Sequence, residues 1–172
     1  MYAVSPDDCP VELSSLPQSS VGAPCPMLVA DEHSLRLAFY VEEGRLTGAW
    51  LQATVRPAAQ HDSGELCAVV CFSSVYAHMF GPPNDEAFSG HPLAPRGLNP
   101  YAAFEVANSS WLRSLEKMNA VHPYHRPERF ELYKHFILSF HDSTFECVAK
   151  SFSVSLCRGS VWRVLSVSQN EA

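Results

Sequence analysis

Apolar and polar residues alternate along much of this chain, and the alternation predicts β-strands. Over residues 34–42 an apolar side chain occupies every second position, which is the period of a half-buried strand. Glu43-Gly44 then provides a turn, and a second alternating stretch over 47–55 predicts the return arm of a β-hairpin. The next run, 66–80, is apolar on both faces, so we expect one central strand with a bulge near Ser73-Ser74.

The alternation returns in the last third of the chain. It predicts a strand over 136–140, a turn over 141–144 and then one long strand through 148–156. Arg158-Gly159 is typical of a turn, so the alternating residues 161–167 are expected to form the second arm of another hairpin.

One segment follows the helical period instead. Trp111, Leu115 and Met118 recur at the four- and three-residue spacing of one apolar helix face. The hydroxyl of Ser109 can accept a hydrogen bond from an exposed amide of a first helical turn. We therefore predict one main helix over about 109–119.

Strands that are joined mostly by short turns favour an antiparallel sheet over alternating β-α units. We predict an α+β fold that is mostly antiparallel β, with about seven strands in a meander that forms a curled or barrel-like sheet, and one main helix. Residues 1–28 contain five prolines and no sustained period, which predicts an irregular Pro/Ser-rich N-terminal arm. Residues 29–172 are expected to form a single antiparallel β domain.

Composition places the chain among folded proteins and argues against two classes of partner. Of its 172 residues, 47% are hydrophobic and 17% are charged, so a sizeable core is expected. The net charge is -6 and the basic residues form no run, which argues against nucleic-acid binding. Since no apolar run reaches the roughly 18–20 residues of a membrane span and no secretory signal is visible, we expect a cytoplasmic protein with no membrane partner.

The stretch 81–100 carries the most candidate chemistry. Its five prolines and three glycines exclude a regular element, and long loops of this kind are usually either functional or disordered. Side chains suited to acid–base chemistry or metal binding lie on it: Asn84, Asp85, Glu86 and His91. The same residue types are also typical turn formers, because Asn and Asp side chains accept from nearby backbone amides.

A second candidate group follows the predicted strand at 136–140. His141, Asp142 and Ser143 are the residue types of a catalytic triad, but a triad is defined by spatial roles, and Asp-Ser also forms hairpin turns. We predict that the loop folds back and brings His91 or Asp85 close to the segment 141–146, as a buried polar strut or as a binding site. The ligand-binding candidates are therefore Asn84, Asp85, Glu86, His91, His141, Asp142 and Glu146.

Three strings in the chain carry a resemblance to a known family. They are FGPPNDEAFSGHPL at 80–93, NSSW at 108–111 and HFILSFHDSTFECVA at 135–149. Together they resemble a bacterial family of uncharacterised conserved proteins, over residues 80–149. The resemblance implies a shared fold and carries no activity, cofactor or partner.

Three kinds of function remain open at this point. The leading hypothesis is a small-molecule-binding or accessory β-domain with a pocket under the 81–100 loop, because long rigid loops beside curved sheets form such pockets. The second is a metal-assisted or acid–base hydrolase that uses Asp85, Glu86, His91 and His141. The third is a protein-interaction module, with another protein as its partner. The familiar nucleotide, zincin and hydrolase motifs do not occur in the sequence, so no cofactor is assigned.

Overall fold

Ten strands and two α-helices make up the described part of the fold. A computed structural model describes residues 2–32, 34–46, 50, 54–57 and 64–167. In chain order the strands are β1 (Cys9–Glu12), β2 (Met27–Ala30), β3 (Leu35–Tyr40), β4 (Val55–Pro57), β5 (Leu66–Ser73), β6 (Ala77–Gly81), β7 (Ala103–Ala107), β8 (Lys134–Ser139), β9 (Thr144–Ala149) and β10 (Ser151–Arg158). The helices are α1 (Ser110–Asn119) and α2 (Val161–Val167), and short 3-10 turns lie at Glu43–Arg45, Phe88–Gly90, Ala94–Arg96 and Pro127–Leu132.

The chain folds into two compact units, each with its own five-stranded sheet among the described residues. Unit 1 comprises Met1–Leu13 and Ser74–Ser151, with the strand order β1-β7-β8-β9-β6, antiparallel throughout. Unit 2 comprises Ser14–Ser73 and Phe152–Ala172, with the order β2-β3-β5-β10-β4. The predicted α+β class, mostly antiparallel and with one main helix, is confirmed.

The predicted single meander of about seven strands is wrong, because two apolar runs are each divided between the two sheets. The run 66–80 breaks where Ser74 adopts a left-handed φ of 53°, which ends β5 before β6 begins. The later run breaks at Lys150, between β9 and β10. Both sheets are open at their edges within the described residues, so neither is barrel-like. Alternation identifies strands, but it carries no information about which sheet a strand joins.

Residues 161–167 form helix α2, so the predicted hairpin arm is also wrong there. Val161, Val164 and Leu165 are buried at helical spacing in a cluster with Ala38 of β3. The Ser160 hydroxyl accepts from the amide of Arg163 at 3.3 Å, in the manner of an N-cap. Residues 161–167 are compatible with both the strand period and the helix period. Packing against the sheet of unit 2 therefore selects the helix. No helix among the described residues is long and apolar enough to cross a membrane.

The first predicted hairpin is only partly visible. Strand β3 is confirmed, but it pairs with β2 and β5, and the described end of the return arm, β4, pairs in parallel with β10. Residues 47–49 and 51–53 of that arm lie outside the described residues. The predicted irregular arm, 1–28, contains β1 and the start of β2. The predicted boundary at residue 28, between an N-terminal arm and a single domain over 29–172, stays a prediction.

The loop 81–100 covers part of one face of the sheet in unit 1. Apolar side chains of the loop form one buried cluster with apolar side chains of β7 and β8: Phe88, Leu93, Leu98, Phe104, Val106 and Ile137. The loop contains two short 3-10 turns and no strand beyond its first residue, as its prolines and glycines predict. This area of the sheet is thus filled by the loop's own side chains.

Helix α1 begins where the sequence predicts. The Ser109 hydroxyl accepts from the amide of Leu112 at 3.2 Å, and Trp111 is the buried residue of the helix. The buried carboxylate of Asp8 also accepts from the amide of Ser110, at 2.7 Å. The cap therefore fixes the segment before β1 against the first turn of α1.

Candidate functional site

The loop 81–100 contacts the β8–β9 hairpin at two places, as predicted. The amide of Asp85 donates to the carbonyl of His141 at 2.9 Å, and Nδ1 of His141 lies 2.9 Å from Oδ2 of Asp85. Farther along, Nε2 of His91 lies 3.2 Å from Oε1 of Glu146. The two junctions differ in burial, so we call Glu146, His91, His135 and Tyr2 the buried network and Asp85, His141 and Tyr101 the surface network.

Glu146 is the acceptor at the centre of the buried network. It lies on β9, and its Oε2 accepts from Nε2 of His135 on β8 at 2.9 Å and from the Tyr2 hydroxyl at 2.7 Å. Its Oε1 accepts only from His91 within the described residues. The side chains of His91 and His135 are fully buried, and 5% of the Glu146 side chain is exposed.

A backbone contact determines which ring nitrogen of His91 carries the proton in this network. The amide of Leu93 donates to Nδ1 of His91 at 3.1 Å, so Nδ1 is unprotonated and Nε2 carries the proton that Glu146 accepts. The Ser109 hydroxyl accepts from the helix and lies 2.9 Å from Nδ1 of His135, to which it can donate. Both ring nitrogens of His91 and of His135 therefore have a polar partner.

The electrostatics of the buried network keep Glu146 ionised. Burial opposes ionisation, but the hydrogen bonds from His135 and His91, the electrostatic attraction of His135 and the hydrogen bond from Tyr2 outweigh it and lower the pKa of Glu146 to about 2. Burial, together with the charge of Glu146, raises the pKa of Tyr2. At neutral pH the carboxylate is therefore an anion, and the phenol keeps the proton that it donates.

The aromatic rings of Tyr2 and Trp111 pack against His135 of the buried network. The Tyr2 ring stacks on Trp111 with centroids 5.5 Å apart and an interplanar angle of 3°. Both rings form T-shaped contacts with the His135 ring, with centroid distances of 5.4 Å for Tyr2 and 5.0 Å for Trp111. Neither Tyr2 nor His135 was predicted from the sequence. A histidine in the apolar strand β8 was a usable signal, whereas nothing local connects Tyr2 to a residue 144 positions away.

The surface network contains the same kinds of group. The Tyr101 hydroxyl donates to Oδ2 of Asp85 at 2.5 Å and lies 2.9 Å from Nδ1 of His141. The hydrogen bond from Tyr101, followed by that from His141, lowers the pKa of Asp85. The hydrogen bond between His141 and Asp85 raises the pKa of His141. The hydrogen bond between Tyr101 and Asp85 raises the pKa of Tyr101 to about 12. The His141 side chain is 43% exposed.

The remaining predicted candidates do not converge on either network. Asn84 accepts from the amide of Ala87 at 3.1 Å, which is the turn role considered for it. Glu86 and Asp142 lie toward solvent, and their charges add to the effect of Asp85 in raising the pKa of His141.

A small pocket borders the buried network at the edge of the sheet. Its volume is about 200 Å³, and it is lined by Met79, Phe80, Gly81, Pro82, Thr144 and Glu146. We call it the Glu146 pocket. Gly81 lies opposite Thr144 in the β6–β9 register, and a side-chain carbon at Gly81 would meet no atom within 4 Å. The position of Gly81 is therefore open, and the pocket residues Thr144 and Glu146 lie on the neighbouring strand β9.

The donor set of the buried network does not suit a metal ion. No three His, Cys, Asp or Glu residues of the described part of the chain are placed to hold one. Coordination through Nε2 of His91 would also require its proton to move to Nδ1, where it would face the amide proton of Leu93. The geometry instead suits a fixed anion surrounded by hydrogen-bond donors.

Comparisons with protein-family models, with curated proteins and with solved structures find no match to this chain. The resemblance to a bacterial family of conserved proteins therefore stays a prediction, and the function is argued from the site.

Proposed function

We propose that unit 1 is a small-molecule-binding domain whose ligand occupies the Glu146 pocket. The observation that carries the proposal is a pocket of about 200 Å³ that is lined in part by Glu146, a residue whose carboxyl group is ionised and almost fully buried. Binding pockets typically combine apolar walls with a few fixed polar groups, and perturbed carboxyl groups concentrate at such sites. The small volume favours a compact ligand.

The proposed location differs from the one expected from the sequence. The area under the middle of the 81–100 loop is occupied by Phe88, Leu93 and Leu98. The Glu146 pocket lies instead beside the first two residues of that loop, at the edge strand β6. The loop supports the site through His91, which holds Glu146 from the buried side.

The hydrolase alternative has less support. Three of its four residues are divided between the two networks: His91 has a partner on each ring nitrogen, while His141 and Asp85 lie at the surface. The Glu86 side chain is exposed and belongs to neither network. A general base needs a ring nitrogen or an oxygen that can reach a substrate, and His91 offers none in this arrangement.

A fragment screen tests the proposal. We expect some compact fragments to shift the backbone amide resonances of Met79, Gly81 and Thr144, because these residues line the pocket. Met79→Trp fills the pocket and should abolish these shifts. Met118→Trp is the matched control, because Met118 is 70% exposed and does not line the pocket. The proposal is wrong if no fragment shifts these amides, or if the shifts persist in Met79→Trp.

A further inference from the structure

We infer that the group bound in the Glu146 pocket is a primary alkylammonium ion, which donates a hydrogen bond to Oε1 of Glu146. The inference rests on the proposed function and names the chemical class of its ligand. Three properties of the pocket support it: charge, hydrogen-bonding capacity and shape.

Glu146 is ionised, and it is the only charged residue among the described residues that line the pocket. The groups that donate to its carboxylate are two imidazoles and a phenol. The amide of Leu93 donates to Nδ1 of His91, and the Ser109 hydroxyl lies 2.9 Å from Nδ1 of His135. Buried carboxylates are usually paired with a cation. A cationic ligand in the adjoining pocket would complete this pairing.

The two carboxylate oxygens of Glu146 accept different numbers of hydrogen bonds. Oε2 accepts from both His135 and Tyr2, whereas within the described residues Oε1 accepts from His91 alone. A carboxylate has about four acceptor positions, so Oε1 retains capacity for an additional donor. A charged N–H donor uses that capacity and carries a charge opposite to that of the carboxylate.

The walls of the pocket suit a short alkyl chain. Met79, Phe80 and Pro82 contribute apolar surface, and the Phe80 side chain is 41% exposed. An ammonium group at the end of a short chain would meet Glu146 while the chain lies against these residues. A free amine and the lysine side chain of a peptide share this chemistry, and the experiment distinguishes them.

Titration of the wild-type protein with three small probes tests the inference, with the pocket amides as readout. n-Butylammonium provides charge and N–H donors, n-butanol has a similar shape without charge, and tetramethylammonium provides charge without a donor. We expect n-butylammonium to bind about tenfold more tightly than either other probe, as one charged hydrogen bond would give. Met79→Trp should abolish its binding, and Met118→Trp should not.

Two further arms sharpen the result. Glu146→Gln should lower the affinity for n-butylammonium to that for n-butanol. Because this substitution alters a buried network, the wild-type probe comparison stands even if the variant does not fold. Nα-acetyl-lysine methylamide distinguishes the sources: affinity equal to that of n-butylammonium supports a lysine side chain, and weaker affinity supports a free amine.

The outcomes separate the two proposals. Equal affinities for n-butylammonium and n-butanol, both lost in Met79→Trp, would overturn the ammonium inference and leave the binding function intact. Equal affinities for n-butylammonium and tetramethylammonium would overturn the hydrogen bond to Oε1. If neither these probes nor any fragment shifts the pocket amides, both proposals are wrong.

Discussion

The buried and surface networks of unit 1 are made from the same chemical groups in different surroundings. Each has a carboxylate that accepts from a tyrosine hydroxyl and from a histidine, and each joins the 81–100 loop to the β8–β9 hairpin. The pKa of the carboxylate is lowered in both. Water can replace a lost hydrogen-bond partner at the surface but not in the interior. Similar hydrogen bonds should therefore contribute more to the free energy of unfolding in the buried network than in the surface network. Three pairs of variants and one titration test this difference.

The largest contrast is expected at the two carboxylates. Glu146→Ala leaves two imidazoles and a phenol without their acceptor in the interior, so we expect the free energy of unfolding to fall by about 3–5 kcal/mol. Asp85→Ala should leave the denaturant midpoint close to that of the wild type, because water can solvate Tyr101 and His141. Denaturant unfolding followed by fluorescence measures both. Equal losses in the two variants would show that burial does not distinguish the networks.

The histidines should differ in the same direction by a smaller amount. His91→Ala removes one of three donors to Glu146 and the acceptor of the Leu93 amide, and should reduce the free energy of unfolding by about 2–3 kcal/mol. His141→Ala should leave the midpoint nearly unchanged, since that side chain is 43% exposed. The same unfolding assay measures both variants. A larger loss of unfolding free energy in His141→Ala than in His91→Ala would contradict the distinction between the buried network and the surface network.

The tyrosines provide the most conservative comparison. Tyr2→Phe keeps the ring that stacks on Trp111 and removes only the hydroxyl, so we expect a loss of about 1 kcal/mol. The lost donor should also raise the pKa of Glu146 and shift acid unfolding to higher pH. Tyr101→Phe should change neither the free energy of unfolding nor the pH of acid unfolding. An unaltered acid transition in Tyr2→Phe would contradict the role given to its hydroxyl.

The smallest effect on stability is expected from the titration of His141. Asp85 raises its pKa in the folded protein above the ordinary value of 6.5. The resulting stabilisation is therefore complete below about pH 6.5 and is lost as the pH rises through the folded-state pKa. A nuclear magnetic resonance titration should give a His141 midpoint above 6.5, and Asp85→Asn should lower it. A wild-type midpoint at or below 6.5 would contradict the hydrogen bond to Asp85.

Local signals predicted the parts of the site that depend on neighbouring residues. The strand β3, the Ser109 cap and the irregular loop 81–100 follow from patterns within a few positions. The proximity of His91 and Asp85 to the segment 141–146 was predicted because a proline-rich loop needs polar partners for its backbone.

Long-range choices could not be predicted in the same way. Residues 66–80 have one apolar pattern, yet the chain leaves one sheet and enters another at Ser74. Residues 161–167 satisfy both the strand and the helix period, and contacts with β3 select the helix. Tyr2 joins Glu146 through tertiary packing alone. In each case the deciding interaction lies far away in sequence, where periodicity carries no information.

The discontinuity of unit 1 has a consequence for how the protein is made. Tyr2 and Glu146 are 144 positions apart in the chain, and all of Ser14–Ser73 is synthesised between the two segments of their unit. On the ribosome, the segment that contains Tyr2 and Asp8 emerges long before β8 and β9 exist. Closing so long a loop has an entropic cost, and such non-local contacts slow folding. The anionic centre of the proposed site is therefore assembled only after most of the chain has been translated.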